Sequence, residues 1–370
     1  MPKRGENIYK RKDARWEARY IKGYDTLGTA QYGYIYAKTY SEVKDKLAEI
    51  KVKLYDQSKR VPNTFGEYCD EWLTLSRNRV KESTYVKYYG IVNTRLKPGL
   101  GSLLPEELNT IIIEKFSNNL LIQVNLSPKT VRDILTVLHA VIDYGRKQRG
   151  SGFIEMDIIY PQSRKSKMRV LSNEEQYRLV QYLMTDMDYT KFGILLALFT
   201  GMRIGEICAL RWEDIYIEDK FLHVCKTMQR LQKVDEDNAY CKTKIVIGDA
   251  KSDTSIRDIP LNEHLAEICK IMSPDASKAY VLTGKVDVYL DPRTLQYRFS
   301  RVAYECGLEG AHFHTLRHTF ATRCIESGFE IKSLSEVLGH ASTKVTLDRY
   351  VHSSMDLKRI NMDKLPAYGL

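Results

Sequence analysis

The stretch "HFHTLRHTF" sets His312, His314 and His318 around Arg317, three of the chain's eight histidines within seven residues. Histidines this dense raise a metal site first. His314 and His318 stand four apart, about one helical turn, the spacing of a ligand pair. A zinc site needs a third protein ligand, and the H-E-x-x-H pattern also brings a carboxylate base. Here Thr, Leu and Arg fill the gap, and a guanidinium between two ligands repels a dication. An anionic guest suits the cluster better, so no metal is expected.

Three more stretches carry reactive side chains. In "FTGMRIGEICALRW", Arg203 and Glu206 lie three apart just after a break at Thr200-Gly201. Alone, such a pair is an ordinary surface ion pair worth little. "KTKIVIGDAKSDTSIRDIPL" holds Lys242, Lys244 and Lys251 in what reads as a hairpin, with strands over 242–247 and 255–259 and a turn at Gly248-Asp249. "SLSEVLGHASTKVTLDRY" has a helix face of Leu334, Val337 and Leu338, a C-cap glycine at 339 and then His340. Ser342 can cap a further helix that carries Tyr350. Guanidinium forks match the oxygens of a phosphate, and tyrosine can act as a covalent nucleophile.

The elements that must position these groups are mostly helical. The first sixty residues read as short strands, "RWEARY" and "YGYIYA", around turns at Gly23 and Gly28. A helix follows with Ser41 as cap and a stripe of Val43, Leu47, Ile50 and Leu54. From Thr64 to about Tyr144 the periodicity is helical, with caps expected at Ser83 and at Ser127 followed by Pro128. Val131, Ile134, Leu135, Leu138 and Ile142 form one buried stripe there. "DQSKRVPN" and the basic "YPQSRKSKMRVLSNEEQ" read as linkers, the second running into a helix capped by Ser172 or Asn173.

Charge is uneven along this 370-residue chain. Residues 1–60 hold 15 Lys/Arg against 8 Asp/Glu, residues 61–165 hold 14 against 11, and the remainder balances at 28 each. A basic front end fits a polyanion such as nucleic acid. Hydrophobic content of 43% and charged content of 28% are those of a globular protein. The longest apolar patch, "FGILLALF", is a core-helix length rather than a membrane span. The N-terminus lacks an apolar signal region, which sets the cytoplasm as the expected compartment. Seven cysteines without a C-x-x-C read as free thiols.

Arg203 in "TGMRIGE", Lys251 in "K-S-x-x-S-x-R-x-I-P", His314 and Arg317 in "HTLRHTF", His340 in "LGH" and Tyr350 in "TLDRY" follow one another in a set order. In this the chain resembles the tyrosine recombinases of the λ-integrase type. It is most similar to integrases of conjugative transposons and phages of Gram-positive bacteria. The resemblance implies a multidomain, mainly α chain with small β-sheets. Residues 1–58 would be an arm-type DNA-binding domain, a three-stranded sheet plus helix. Residues 62–160 would be a helical SAM-like core-binding domain. Residues 165–370 would be an α+β catalytic domain, with a tail docking on a neighbouring subunit.

The same resemblance implies roles. Tyr350 would be the nucleophile that forms a 3′-phosphotyrosine ester, conserving bond energy without ATP, metal or other cofactor. Arg203 and Arg317 would hold the non-bridging oxygens as charge gathers on them. Lys251 would protonate the leaving 5′-oxygen, with Lys242 and Lys244 as alternatives in the same hairpin. His314 and His340 would donate hydrogen bonds to the phosphate, His314 also helping to take the Tyr350 proton. Glu206 would orient an arginine. His312 and His318 would be structural. Arg15, Arg19, Lys22, Lys87, Arg95, Lys165 and Lys167 would contact DNA. The implied partners are double-stranded DNA, a homo-tetramer, an excisionase and a DNA-bending host protein, acting on the bacterial nucleoid. A resolvase or chromosome-dimer recombinase, a type IB topoisomerase and a catalytically silent DNA-binding regulator are the rival expectations.

Overall fold

Alternating apolar and polar residues build the first sheet. In the computed structural model β1 (Ile8–Lys10), β2 (Trp16–Tyr24) and β3 (Ala30–Ala37) pair antiparallel in the order β1-β2-β3. Ile8, Ala18, Ile35 and Ala37 face inward against Val43 and Leu47 of α1 (Tyr40–Ser58). The register leaves Tyr9, Ile21, Tyr32, Tyr34 and Tyr36 exposed. Helix α1 begins two residues earlier than a Ser41 cap implies. Thr39 Oγ1, rather than Ser41, accepts the amide of Glu42. The structure describes residues 7–24, 30–58, 64–148, 152–162, 168–234, 243–249 and 255–350, with Arg359 and Met362. Two compact units divide the chain, Met1–Ser163 and Arg164–Leu370.

The rest of the first unit is helical. It comprises α2 (Phe65–Ser76), α3 (Glu82–Ile91), a π-helical turn Val92–Leu96, α4 (Lys97–Leu100), α5 (Thr110–Ile122) and α6 (Pro128–Arg146). Ser127 caps α6 through the Thr130 amide, with Pro128 at the first position. Helix α3 starts at Glu82 with no side-chain cap, so Ser83 lies inside the helix rather than at its end. The π turn sits just before Pro98, which has no amide to return to Thr94. The Lys97 amide reaches back to Val92 O instead. Phe65, Tyr68, Leu96, Leu100, Leu135 and Leu138 centre this core.

The second unit wraps α8 (Tyr189–Thr200), which is apolar on almost every side and buried accordingly. Around it lie α7 (Asn173–Met184), capped by Ser172, and the short α9 (Ile204–Ala209). Two small sheets follow, β4 (Ile215–Tyr216), β5 (Phe221–Val224) and β8 (Arg257–Pro260) in the order β4-β5-β8, and β6 (Lys226–Gln232) with β7 (Thr243–Asp249). Then come α10 (Glu263–Met272), α11 (Pro292–Glu305), α12 (Phe313–Glu326), α13 (Ile331–Leu338) and α14 (Thr343–Tyr350).

The expected hairpin between 242–247 and 255–259 is not formed. Strand β7 pairs with β6, and β8 pairs with β5. The run "FLHVCKTMQRLQ" is the outgoing arm, since Leu222, Val224 and Met228 alternate inward to the core. Gly248 and Asp249 therefore lie within the paired strand, opposite Thr227 and Lys226. Among the described residues, no helix is long and apolar enough to cross a membrane. Cys69, Cys208, Cys269, Cys306 and Cys324 are free and buried; Cys241 lies outside the described residues.

Helix α8 ends on Gly201 in the left-handed region, at φ +67°, where a Cβ would sit 2.5 Å from Phe320. Gly201→Ala is expected to cost about 2 kcal/mol of stability, from the left-handed backbone and the clash. Gly248→Ala, with open space around the site, is expected to stay within about 0.5 kcal/mol. Urea unfolding of the two variants checks the contrast.

Candidate active site

Arg317 lies within the first half of α12 and is 3% exposed. A buried guanidinium must have its donors satisfied. Its Nη1 donates to Gly201 O at 2.8 Å and its Nη2 to Leu338 O at 2.7 Å. Those carbonyls close α8 and α13, where helix dipoles put partial negative charge. Nη2 also reaches His340 Nε2 at 2.9 Å. Among the described residues, the Nε–H and one Nη1–H of its five N–H groups have no partner.

Arg203 sits at the N-cap of α9. Its amide donates to Glu206 Oε2 at 2.9 Å, Nη1 to Glu206 Oε1 at 2.7 Å and Nη2 to Gly339 O at 3.1 Å. What reads in sequence as a weak surface pair is thus half of a buried network. Glu206 is 4% exposed and also accepts from Arg257, Nη2 to Oε2 at 3.0 Å. Arg257, buried on β8, donates further to Ser255 O at 3.0 Å and Val337 O at 2.6 Å. Sequence reasoning used Arg257 only as context for Lys251. Alternation on its strand points Arg257 inward, but its partners lie far along the chain.

Three guanidiniums against one carboxylate leave the cluster cationic. Burial raises the Glu206 carboxyl's proton affinity, but Arg257 and Arg203 outweigh it and hold the group below the usual range. Burial and the charge of Arg203 weaken the hold of Arg317 on its proton, though a guanidinium stays charged at neutral pH. His340 is pushed down to about 3 by burial and by Arg317. It is therefore neutral. Since Arg317 donates to Nε2, the ring hydrogen is assigned to Nδ1, which meets Thr346 Oγ1 at 2.8 Å. The same charges that keep these rings neutral oppose a bound dication.

Tyr350 ends α14 and is 6% exposed, packed with Ala321, Cys324, Leu334 and Leu338. Its ring lies parallel to His340, 6.2 Å between centroids. Its hydroxyl meets His318 Nδ1 at 3.0 Å. His314 is at the solvent-facing first turn of α12, its ring edge-on to His318 at 5.5 Å. Partial burial, with Arg317 and Arg203, lowers its proton affinity. His312 caps α12 through Thr315. So Arg203, Glu206, Arg317, His340 and Tyr350 converge with His314 beside them. His318, expected to be structural only, is the histidine on the tyrosine hydroxyl.

Other expected residues disperse. Lys251 and Lys242 lie outside the described residues, as do Lys165 and Lys167. Lys244 is exposed on β7 opposite Leu231. Arg19 covers Tyr32 at 4.3 Å, and Arg15 pairs with Asp13 beside Tyr36. Lys22 is exposed on the same sheet. Lys87 pairs with Asp133 at 2.9 Å on the helical part. Arg95, on the π turn, lines a cavity of about 460 Å³.

Two arginines, two neutral histidines and a buried tyrosine make a cationic centre suited to an anionic guest. The chain matches the phage integrase family over residues 169–356, and the phage integrase N-terminal SAM-like domain over residues 64–121. It belongs to the phage integrase family. It is a tyrosine recombinase, an enzyme that transfers DNA strands. It is 26% identical to a XerC-like tyrosine recombinase of Caldanaerobacter subterraneus subsp. tengcongensis, over 88% of this chain and 90% of that one. It is 27% identical to the ICEBs1 integrase of Bacillus subtilis strain 168, over 66% and 67%. A solved structure of the Tn1549 transposon integrase in complex with circular intermediate DNA shares the fold, with a TM-score of 0.67, 19% identity and 82% of this chain covered against all of that one.

Removing one partner from a buried ion pair leaves the other uncompensated. Arg257→Met is therefore expected to cost about 3 kcal/mol in urea unfolding, whereas a substitution at exposed Lys87 should cost about 0.5 kcal/mol or less. The histidines add a pH signature. In the unfolded chain His318 and His340 bind protons near pH 6.5, but in the folded one only near 4 and 3. The unfolded state thus takes up more protons as pH falls from about 6.5 toward 4, and stability drops across that window. A thermal-unfolding midpoint that falls less steeply in His340→Asn is the expected result.

Proposed function

We propose that this recombinase integrates and excises a mobile element, cutting DNA through a 3′-phosphotyrosine ester on Tyr350. The observation that carries the reading is the convergence of Tyr350, His340, Arg317 and Arg203 around a cationic centre with unused guanidinium hydrogens. Arg203 and Arg317 would clamp the scissile phosphate and bind it more tightly as charge builds on its oxygens. Glu206, tied to Arg257, would orient Arg203. His314 would donate to the phosphate from the open side of the site. His340 would do so once its hydrogen moves to Nε2, with Nδ1 then accepting from Thr346 Oγ1 and the Arg317 contact released. Lys251 would protonate the leaving oxygen.

The proposed organisation keeps three parts. Residues 1–58 would grip arm-type DNA sites through the strand face that carries Arg19 and the exposed tyrosines. Residues 62–160 would bind the core site, and 165–370 would catalyse. Lys165 and Lys167 would lie along the phosphate backbone between them. The active form would be a tetramer on paired DNA sites, joined by tails beyond Tyr350 and aided by an excisionase and a DNA-bending host protein. It would work in the cytoplasm, on the nucleoid. The basic N-terminal sheet favours element integration over a resolvase role, since a resolvase has less need of a separate arm-binding module.

A nicked suicide DNA substrate tests the chemistry. The wild-type chain is expected to accumulate a covalent adduct resistant to detergent, and Tyr350→Phe to form none while still binding DNA. Identical behaviour of the two, without adduct, would sink the catalytic reading.

A further inference from the structure

We propose that His318 is a catalytic residue: its Nδ1 takes up the proton of the Tyr350 hydroxyl as that oxygen attacks phosphorus. The proposal rests on Tyr350 being the nucleophile. The geometry is already that of a base and its acid. Nδ1 and Oη are 3.0 Å apart, within the reach a proton transfer needs. Both residues are buried, His318 at 8% and Tyr350 at 6% exposed. Among the described residues, His318 is the only side chain hydrogen-bonded to that hydroxyl. The proposal assigns the hydroxyl proton to this contact, pointing at Nδ1, which puts the neutral ring's own hydrogen on Nε2.

The step balances without any other reactant. The Oη–H bond breaks and an Nδ1–H bond forms, leaving His318 as an imidazolium. The Oη–P bond forms, the P–O5′ bond breaks, and the 5′-oxygen takes a proton from its own donor. On rejoining, the 5′-hydroxyl attacks and returns its proton to the group that supplied it, the O5′–P bond forms, and the imidazolium returns its proton to Oη as the Oη–P bond breaks.

The surroundings set when His318 can accept. It is faced by His312, His314 and Arg317 of α12, by Arg349 and Tyr350 of α14 and, across the tyrosine ring, by His340. Without DNA, burial and these neighbours hold it down to about 4, so Nδ1 stays free to accept. A phosphate anion beside Arg317 offsets that guanidinium's charge. The His318 imidazolium then becomes cheaper to form. The site gains basicity when its substrate arrives. Sequence alone places this histidine next to Arg317 and gives no reason to prefer it over His314.

The test uses the full chain, single-turnover adduct formation, and suicide DNA whose bridging 5′-oxygen is replaced by sulfur, a leaving group that needs no proton. His318→Asn keeps an acceptor near the Nδ1 position but cannot hold a proton. It is expected to bind DNA like wild type and to form adduct about 100-fold more slowly at pH 7, within the usual range for a lost general base. Its rate should climb about tenfold per pH unit from pH 7 to 9 as tyrosine ionises without help, while wild type stays flat. His318→Gln serves as a second variant should the first fail to bind DNA. A rate within about threefold of wild type, a loss equal at every pH, or full recovery with the sulfur leaving group overturns the proposal. The last result would place His318 on the leaving-group side. Absence of adduct from wild type itself would instead overturn the reading of Tyr350 as nucleophile.

Discussion

The catalytic unit depends on burying Arg317. A guanidinium cannot leave water unless its donors find partners, and here two helix ends supply them. Helix α8 stops at Gly201 and α13 stops before Gly339, both glycines in the left-handed conformation. That conformation turns the chain sharply and leaves the terminal carbonyls open. Gly201 O and Leu338 O point at Arg317, and Gly339 O points at Arg203. The arginines complete two helix C-termini, and the helices fix the arginines. Most of the cost of bringing cations together is thus met by folding, before any substrate binds.

Glu206 holds the other half of the arrangement. A lone carboxylate at 4% exposure would be unstable, yet Arg203 and Arg257 both donate to it. This links α9, β8 and, through Arg257 and Val337 O, the end of α13. The carboxylate neutralises one guanidinium of three, so attraction for an anion survives while repulsion among the arginines is eased. His340 then carries the network onward. It accepts from Arg317 on one nitrogen and meets Thr346 on the other, joining the arginine pocket to the helix that bears Tyr350.

Much of this was legible in sequence. The spacing placed Arg203, His314 and Arg317 near helix starts, His340 after a C-cap and Tyr350 on a further helix, and the Ser127, Ser172 and Gly339 caps lie where their local chemistry put them. The strand pairing was not legible. Gly-Asp at 248–249 reads as a turn in any local window, but pairing is decided by a distant segment, "FLHVCKTMQRLQ", whose inward residues meet the common core. Arg257 was obscured for a related reason. Its partners, Glu206 and Val337, are 51 and 80 residues away, and no local pattern carries that information. The choice between His314 and His318 was likewise beyond spacing, because both lie within one turn of Arg317 and only packing tells which meets the tyrosine.

That packing has a consequence for control of the reaction. Tyr350 belongs to a small apolar cluster with Ala321, Cys324, Leu334 and Leu338, so its ring is held by burial while its hydroxyl is held by a neutral histidine. The cationic arginines are nearby but are spent mainly on helix carbonyls and Glu206. On the proposed reading, an arriving phosphate would change their surroundings in two ways at once. It would take guanidinium hydrogens that folding left over, and its charge would lower the cost of a proton on the neighbouring imidazole. On the proposed reading, the charges that folding leaves uncompensated are the ones that DNA would neutralise as the reaction begins.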